Sequence, residues 1–257
     1  MAEDRLIARA RAFLRQEFPG AEAAFLGGSA ATGAATPGSD LDVLVVLPEH
    51  WSPVAFVETS RFDGQLVEAF VYGPASLRVW LEKGRAAHRP VLDRLVAEGI
   101  PLTDNGLTHE LAAQSVAVLA AGPSAPDSEE VHRRLYSLSS AVDDLADRGS
   151  QAARAAPRPS APLDPAETAV LAWTVWREAA ELALVADRQW LGTGKWLVRE
   201  LRRHGDRYGL LSWADASLAA AAAPDTDVLV QQAQAVLDAA GGYLQEGHLR
   251  GHRPPDL

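Results

Sequence analysis

Phe25-Leu26-Gly27-Gly28-Ser29, ten residues from Ala30 to Ser39, then Asp40-Leu41-Asp42 running into Val43-Leu44-Val45-Val46-Leu47 is the stretch on which the fold of this 257-residue chain turns. Side chains alternate between the two faces of a strand, so Asp40 and Asp42 share one face while Leu41 and Val43 point into the opposite layer. Two carboxylates at the head of an apolar strand make a claw for a hard cation. Gly27 and Gly28 leave backbone N–H groups unobstructed just upstream, and Ser29 adds a hydroxyl to the same concavity. Those donors suit a phosphate.

The order of these parts matters. Phosphatase-type Asp-x-Asp pairs close an apolar strand, whereas here the carboxylates precede Val43 to Leu47 and follow a Thr36-Pro37-Gly38-Ser39 turn. A reaction that moves negative charge through a phosphate uses both halves. Two divalent cations roughly 3.5–4 Å apart stabilise the attacking and the leaving oxygen, and the Gly-Gly-Ser mouth holds the departing end.

Working outward, Leu6, Ile7, Ala10, Phe13 and Leu14 recur at helical spacing within Glu3 to Phe18, and Pro19-Gly20 ends that helix. Ala23 to Leu26 is a short strand delivering the Gly-Gly-Ser mouth, with a brief helix expected over Ala30 to Ala35. Beyond the metal strand, Val54 to Thr59 and Gln65 to Tyr72 alternate and are joined through Asp63-Gly64, a hairpin signal. Leu66, Glu68, Phe70 and Tyr72 share one face of the second run, so Glu68 is a carboxylate in an apolar row. Facing the Asp pair from an adjacent strand would explain it; reaching water from an edge strand is the plainer account. Ala75 to Ala87 and Arg89 to Glu98 read as helices, and Ile100-Pro101-Leu102 as an edge strand, where proline is tolerated. The spacing places a first domain at residues 1–105 and a second at 106–257.

The second half is helical throughout: Leu107 to Ala121, Asp127 to Gly149, Asp164 to Arg188, Gly194 to His204, Tyr208 to Ala222 and Asp225 to Leu244. Ala152 to Pro165, rich in Ala, Pro and Arg, reads as a surface loop. Glu178 and Glu181, three apart, share a face of an otherwise apolar helix and could meet a cationic molecule; an exposed stripe is the alternative. Asp143, Asp144 and Asp147 read as a solvated acidic face. The histidines show no metal-ligand spacing and are expected at the surface.

Gly28-Ser29 followed by Asp40-Leu41-Asp42 resembles the signature of the nucleotidyltransferases of the DNA polymerase β superfamily, and most of all the small bacterial antibiotic nucleotidyltransferases of aminoglycoside or lincosamide type. The resemblance implies an α/β (α+β) catalytic domain with a small mixed sheet, followed by an α-helical bundle domain that binds substrate. It implies Asp40, Asp42 and Glu68 as catalytic metal ligands for Mg2+, as a pair of ions, with Glu68 as third ligand or general base. Gly28 and Ser29 would bind ATP or another nucleoside triphosphate. Lys195, in Gly192-Thr193-Gly194-Lys195 at a helix start, resembles the lysine such enzymes bring to the triphosphate; it is not a Walker loop, because no strand leads into it. Glu178 and Glu181 would face the acceptor, and a helical-domain glutamate sometimes serves as base.

Composition narrows the partners. A net charge of −10 and a pI near 5.2 argue against a long nucleic acid, and suit a small cationic acceptor such as an aminoglycoside. The chain has no cysteine, which excludes thiolate metal sites and suits a reducing cytoplasm. No signal peptide or membrane span is expected. The resulting expectation is transfer of a nucleoside monophosphate to an acceptor hydroxyl with release of pyrophosphate. A non-catalytic, antitoxin-like nucleotide-binding partner and a protein- or tRNA-modifying transferase are the alternatives. The first would be expected to lack a carboxylate of the trio.

Overall fold

The computed structural model describes residues 2–36, 38–149, 164–219 and 225–246. They fall into two compact units, Met1–Pro123 and Ser124–Leu257.

The first unit runs α1 (Ala2–Glu17), β1 (Ala23–Leu26), α2 (Gly28–Ala31), β2 (Leu41–Val46), a 3-10 turn (Glu49–Trp51), β3 (Ala55–Phe62), β4 (Gln65–Tyr72), α3 (Pro74–Ala86), α4 (Val91–Ala97), β5 (Ile100–Pro101) and α5 (Gly106–Ala121). The strands form one mixed sheet in the order β3-β4-β2-β1-β5. Only β2 and β4 are parallel; the other pairs are antiparallel. The short helix after the Gly-Gly-Ser mouth starts at Gly28 rather than Ala30, so Ser29 lies in its first turn.

Alternation sorts the sheet into two cores. Leu41, Val43, Val45, Val67, Ala69 and Val71 pack with Phe13 and Leu14 of α1. On the other face Phe25, Leu44, Val46 and Tyr72 pack with Leu77 and Leu81 of α3 and Leu92 and Leu95 of α4. Each fully buried Val or Leu contributes about 1.5–3 kcal/mol relative to exposure, so the alternation fixes which face is which. The β3–β4 hairpin turns at Asp63 (φ 49°) and Gly64 (φ 78°). Two successive positive φ angles are those of a type I′ turn, whose twist matches the strands it joins. This hairpin makes β3 the sheet edge and returns β4 parallel to β2.

Helix α5, which the sequence reading assigns to the second domain, lies in the first unit and packs on α4 and β1. Its cap explains why. The Asn105 side chain accepts the Thr108 N–H at 3.0 Å and donates to the Glu22 carbonyl at 2.6 Å. Thr103 Oγ1 accepts the Ala24 N–H at 3.1 Å and pairs with Thr108 Oγ1 at 2.8 Å. Asn105-Gly106 thus begins a helix stitched to β1.

Between α3 and α4, Arg85 donates to Asp93 through Nε at 3.0 Å and Nη2 at 2.8 Å. The hydrogen bond to Asp93 raises the Arg85 pKa above its ordinary value. The Asp93 side chain is wholly buried, while Arg85 keeps 32% of its side-chain surface in water. Breaking a fully buried pair costs about 3–5 kcal/mol. Because Arg85 can rehydrate in part, Asp93→Ala is expected to cost about 2 kcal/mol, read as a lower urea midpoint for unfolding at unchanged slope.

The second unit contains α6 (Ser128–Gly149), α7 (Pro165–Ala186), α8 (Lys195–His204), α9 (Leu210–Ala219) and α10 (Thr226–Ala240). Helices α6, α7 and α10 pack on one another around Leu138, Leu145, Val175, Leu182, Leu184, Leu229 and Leu237. A capping box at Asp164 and Glu167 starts α7. Trp176 and Trp213 are buried and donate their indole N–H groups to the Leu210 and Asp225 carbonyls at 2.8 and 2.7 Å. The Ala- and Pro-rich stretch at 152–163 and the Asp147 side chain lie outside the described residues, as does the end of the helix expected to run to Ala222.

Candidate active site

The parallel pairing of β2 with β4 sets Asp42 directly opposite Glu68. Both stand on the α3/α4 face, because their strand neighbours Leu41, Val43, Val67 and Ala69 fill the α1 core. Asp40 sits one residue ahead of β2 at the end of a braced turn. There the Ser39 N–H donates to the Thr36 carbonyl at 3.0 Å, and Ser39 Oγ accepts the Thr36 N–H at 2.9 Å. One carboxylate oxygen from each of Asp40, Asp42 and Glu68 lies within 4.8 Å of the other two. All three residues are half-buried, so they remain reachable while their negative charges are crowded. Among the described residues, no other trio of acidic or histidine side chains comes together in this way.

The glycine mouth touches this cluster. The Gly27 N–H donates to the Asp42 carbonyl at 2.8 Å, which fixes the start of α2 against β2. Gly28 has φ +63°, and a Cβ built on it would lie 1.7 Å from Asp42 Oδ2. Only hydrogen fits between this backbone and the carboxylate. Ser29 follows in the first turn of α2, partly exposed.

Gln65 supports the site and escapes sequence reading. Its side-chain amide donates a short hydrogen bond to the Ser39 carbonyl and accepts from Arg9 Nη1 at 3.4 Å. The loop that ends in Asp40 is thereby tied to β4 and α1. No local pattern signals it, because it joins three separate segments.

Residues 7–83 match the family model described as the nucleotidyltransferase domain. That stretch of the first unit is similar to a nucleotidyltransferase domain. The matched stretch contains Gly28, Ser29, Asp40, Asp42 and Glu68. No curated protein matches the chain. Among solved structures, it is similar to a nucleotidyltransferase-like protein from Exiguobacterium sibiricum, at 12% identity and a TM-score of 0.45, over 91% of this chain and 75% of that one.

The remaining expected site residues lie in the second unit. Lys195 is exposed and opens α8 directly after Gly194. Glu178 pairs with Arg177 at 3.1 Å. Glu181 accepts from Arg134 Nη1 at 2.9 Å, and Arg134 Nε also donates to Glu130 at 2.6 Å. Burial works to lower the Arg134 pKa, but the hydrogen bonds to Glu181 and Glu130 carry it above the usual value. Two histidines depart from the surface expectation. His88 is buried, and His204 is largely buried and paired with Asp187 at 2.7 Å.

Proposed function

We propose that the first unit transfers a nucleoside monophosphate, AMP from ATP, to a hydroxyl of a small acceptor and releases pyrophosphate. The observation that carries this reading is the meeting of three carboxylate oxygens within 4.8 Å. An all-oxygen set of that size fits Mg2+, a hard cation that keeps some of its waters. Asp40, Asp42 and Glu68 would hold it. When bound, it supplies positive charge to the phosphate oxygens as negative charge develops there.

The chain's own residues do the rest. Gly28 and Ser29 hold the β- and γ-phosphates through backbone N–H groups and the serine hydroxyl. The acceptor oxygen forms a bond to the α-phosphorus opposite the departing oxygen, whose bond breaks and whose electron pair leaves with pyrophosphate. The acceptor's proton passes to a carboxylate. Glu68 takes it or completes the metal set, and both roles place it beside Asp42 on one face. Lys195 would neutralise charge on the departing pyrophosphate. A cation in the first turn of a helix opposes the helix dipole, so its position there is better suited to an anionic ligand than to helix stability.

An aminoglycoside is one acceptor class to test, through Glu178 and Glu181. The ion pair to Arg134 reduces what Glu181 can offer a polycation. A cytoplasmic setting agrees with the absence of cysteine. Among the described residues no helix is long and apolar enough to cross a membrane.

The test is pyrophosphate release from ATP, GTP, CTP and UTP with magnesium, across aminoglycosides, lincosamides and other hydroxyl compounds. Acceptor-dependent release establishes the transfer. Lys195→Met is expected to raise KM for the nucleotide about tenfold, the size of one charge-assisted contact. An unchanged KM removes Lys195 from the nucleotide.

A further inference from the structure

On the same sheet face as Asp42 and Glu68, the first unit has an open groove of about 490 Å³. That volume lies in the range of small-molecule sites. Val57 and Phe70 form its floor, and Trp80, Lys83, Arg89 and Val91 form its wall. Val57 is 51% exposed, Trp80 45% and Val91 56%, so bulky apolar groups here face water. Lys83 and Arg89 are the charged side chains of the lining, and both are cations in a chain of net charge −10. Lys83 Nζ lies 4.7 Å from the centre of the Trp80 ring. Burial pushes the Tyr72 phenol above its ordinary pKa, so this part of the lining stays uncharged.

The groove's position follows from strand register. Phe70 is the next residue after Glu68 on this face of β4, about 7 Å along the strand. Val57 stands opposite Phe70 on β3, as Thr59 stands opposite Glu68. Gly28, on the β1 side of Asp42, marks the pyrophosphate end of the site. In-line displacement puts the attacking oxygen opposite the leaving one, hence on the β4 side, where the groove begins.

We propose that this groove, next to Glu68 along the sheet face, seats the acceptor, and that the acceptor is a hydroxyl compound with a flat apolar or aromatic body and a negative charge. This deepens the transfer reading and rests on it. The aromatic wall takes the body of the molecule, and Lys83 and Arg89 face its anionic group. A polycation would meet two like charges and an apolar floor.

Anilinonaphthalene sulfonate, an aromatic anion, serves as the binding probe by its fluorescence, with the full-length chain and no nucleotide. Trp80→Ala and Lys83→Glu are each expected to weaken its binding about tenfold, the size of one aromatic or cation–π contact. Circular dichroism checks that the variants remain folded. Asp42→Ala should bind the probe as the native chain does, and kanamycin should not displace it. Probe binding that ignores both groove variants overturns the proposal. So does a dimer that dissociates on Trp80→Ala, because the groove is then an interface between copies. Pyrophosphate release is measured alongside with hydroxybenzoates and aminoglycosides. Release with a hydroxybenzoate that Trp80→Ala reduces supports the acceptor seat. Release with an aminoglycoside that is indifferent to Trp80→Ala keeps the transfer and discards the groove. Groove binding without release for any acceptor overturns the seat as an acceptor site, and nucleotide binding by the native chain then shows whether the transfer reading fails too.

Discussion

Asp42→Asn is expected to reduce acceptor-dependent pyrophosphate release by about 10³-fold or more, with little change in folding stability. Carboxylate and carboxamide have nearly the same shape, so the strand packs as before. The lost charge belongs to the residue central to the site. Asp42 is opposite Glu68 in register, its backbone carbonyl accepts the Gly27 N–H, and its Oδ2 abuts Gly28. Electrostatic stabilisation of a transferring phosphoryl group supplies several kcal/mol, and each 1.4 kcal/mol is about tenfold in rate. The same substitution should raise the magnesium concentration needed for half-maximal activity, and chelation by EDTA should abolish the native activity. Release that persists in both the variant and the chelated enzyme would sink the assignment of the trio.

Gly28→Ala carries the second large effect. Its φ of +63° costs an L-residue about 1–2 kcal/mol, and its new Cβ would collide with Asp42 Oδ2 at 1.7 Å. The carboxylate must swing away, which separates it from Asp40 and Glu68. Activity is expected to fall about 10²-fold, the scale of a 1 Å misplacement at a reacting centre. Gly33→Ala is the matched control. Gly33 has φ +70° but nothing within 4 Å of a built Cβ, so it bears the backbone strain without the collision. Gly28→Ala should lose at least as much stability in thermal unfolding as Gly33→Ala, and only Gly28→Ala should lose activity. Equal losses of activity would mean that backbone strain, and not the contact with Asp42, is responsible.

Most of the local structure is legible in the residues themselves. Alternation in Gln65 to Tyr72 assigns Glu68 to an apolar face, and that face is the one carrying Phe70 and Tyr72. Asp63-Gly64 specifies the hairpin, and the breaks at Pro19-Gly20 and Asn105-Gly106 mark element ends. The Asn105-Gly106 break does not say which unit the helix joins, because capping chemistry reads the same whether the helix it starts packs backwards or forwards along the chain. Glu178 and Glu181 illustrate the same limit. Their shared helical face is a property of spacing, but the capture of Glu181 by Arg134 requires two helices to dock.

The sequence by itself therefore determined the elements, the face on which each carboxylate stands and the Gly-Ser mouth, since these follow from periods of two and 3.6 residues and from the backbone freedom of glycine. Tertiary structure alone decided that Asp42 meets Glu68, that Gly28 lies against Asp42 Oδ2, that Gln65 ties down the Asp40 loop, and that an apolar, cation-rimmed groove lies beside the trio. Those facts depend on strand register and helix docking, which are set by how distant segments exclude water together rather than by any residue's neighbours in the chain.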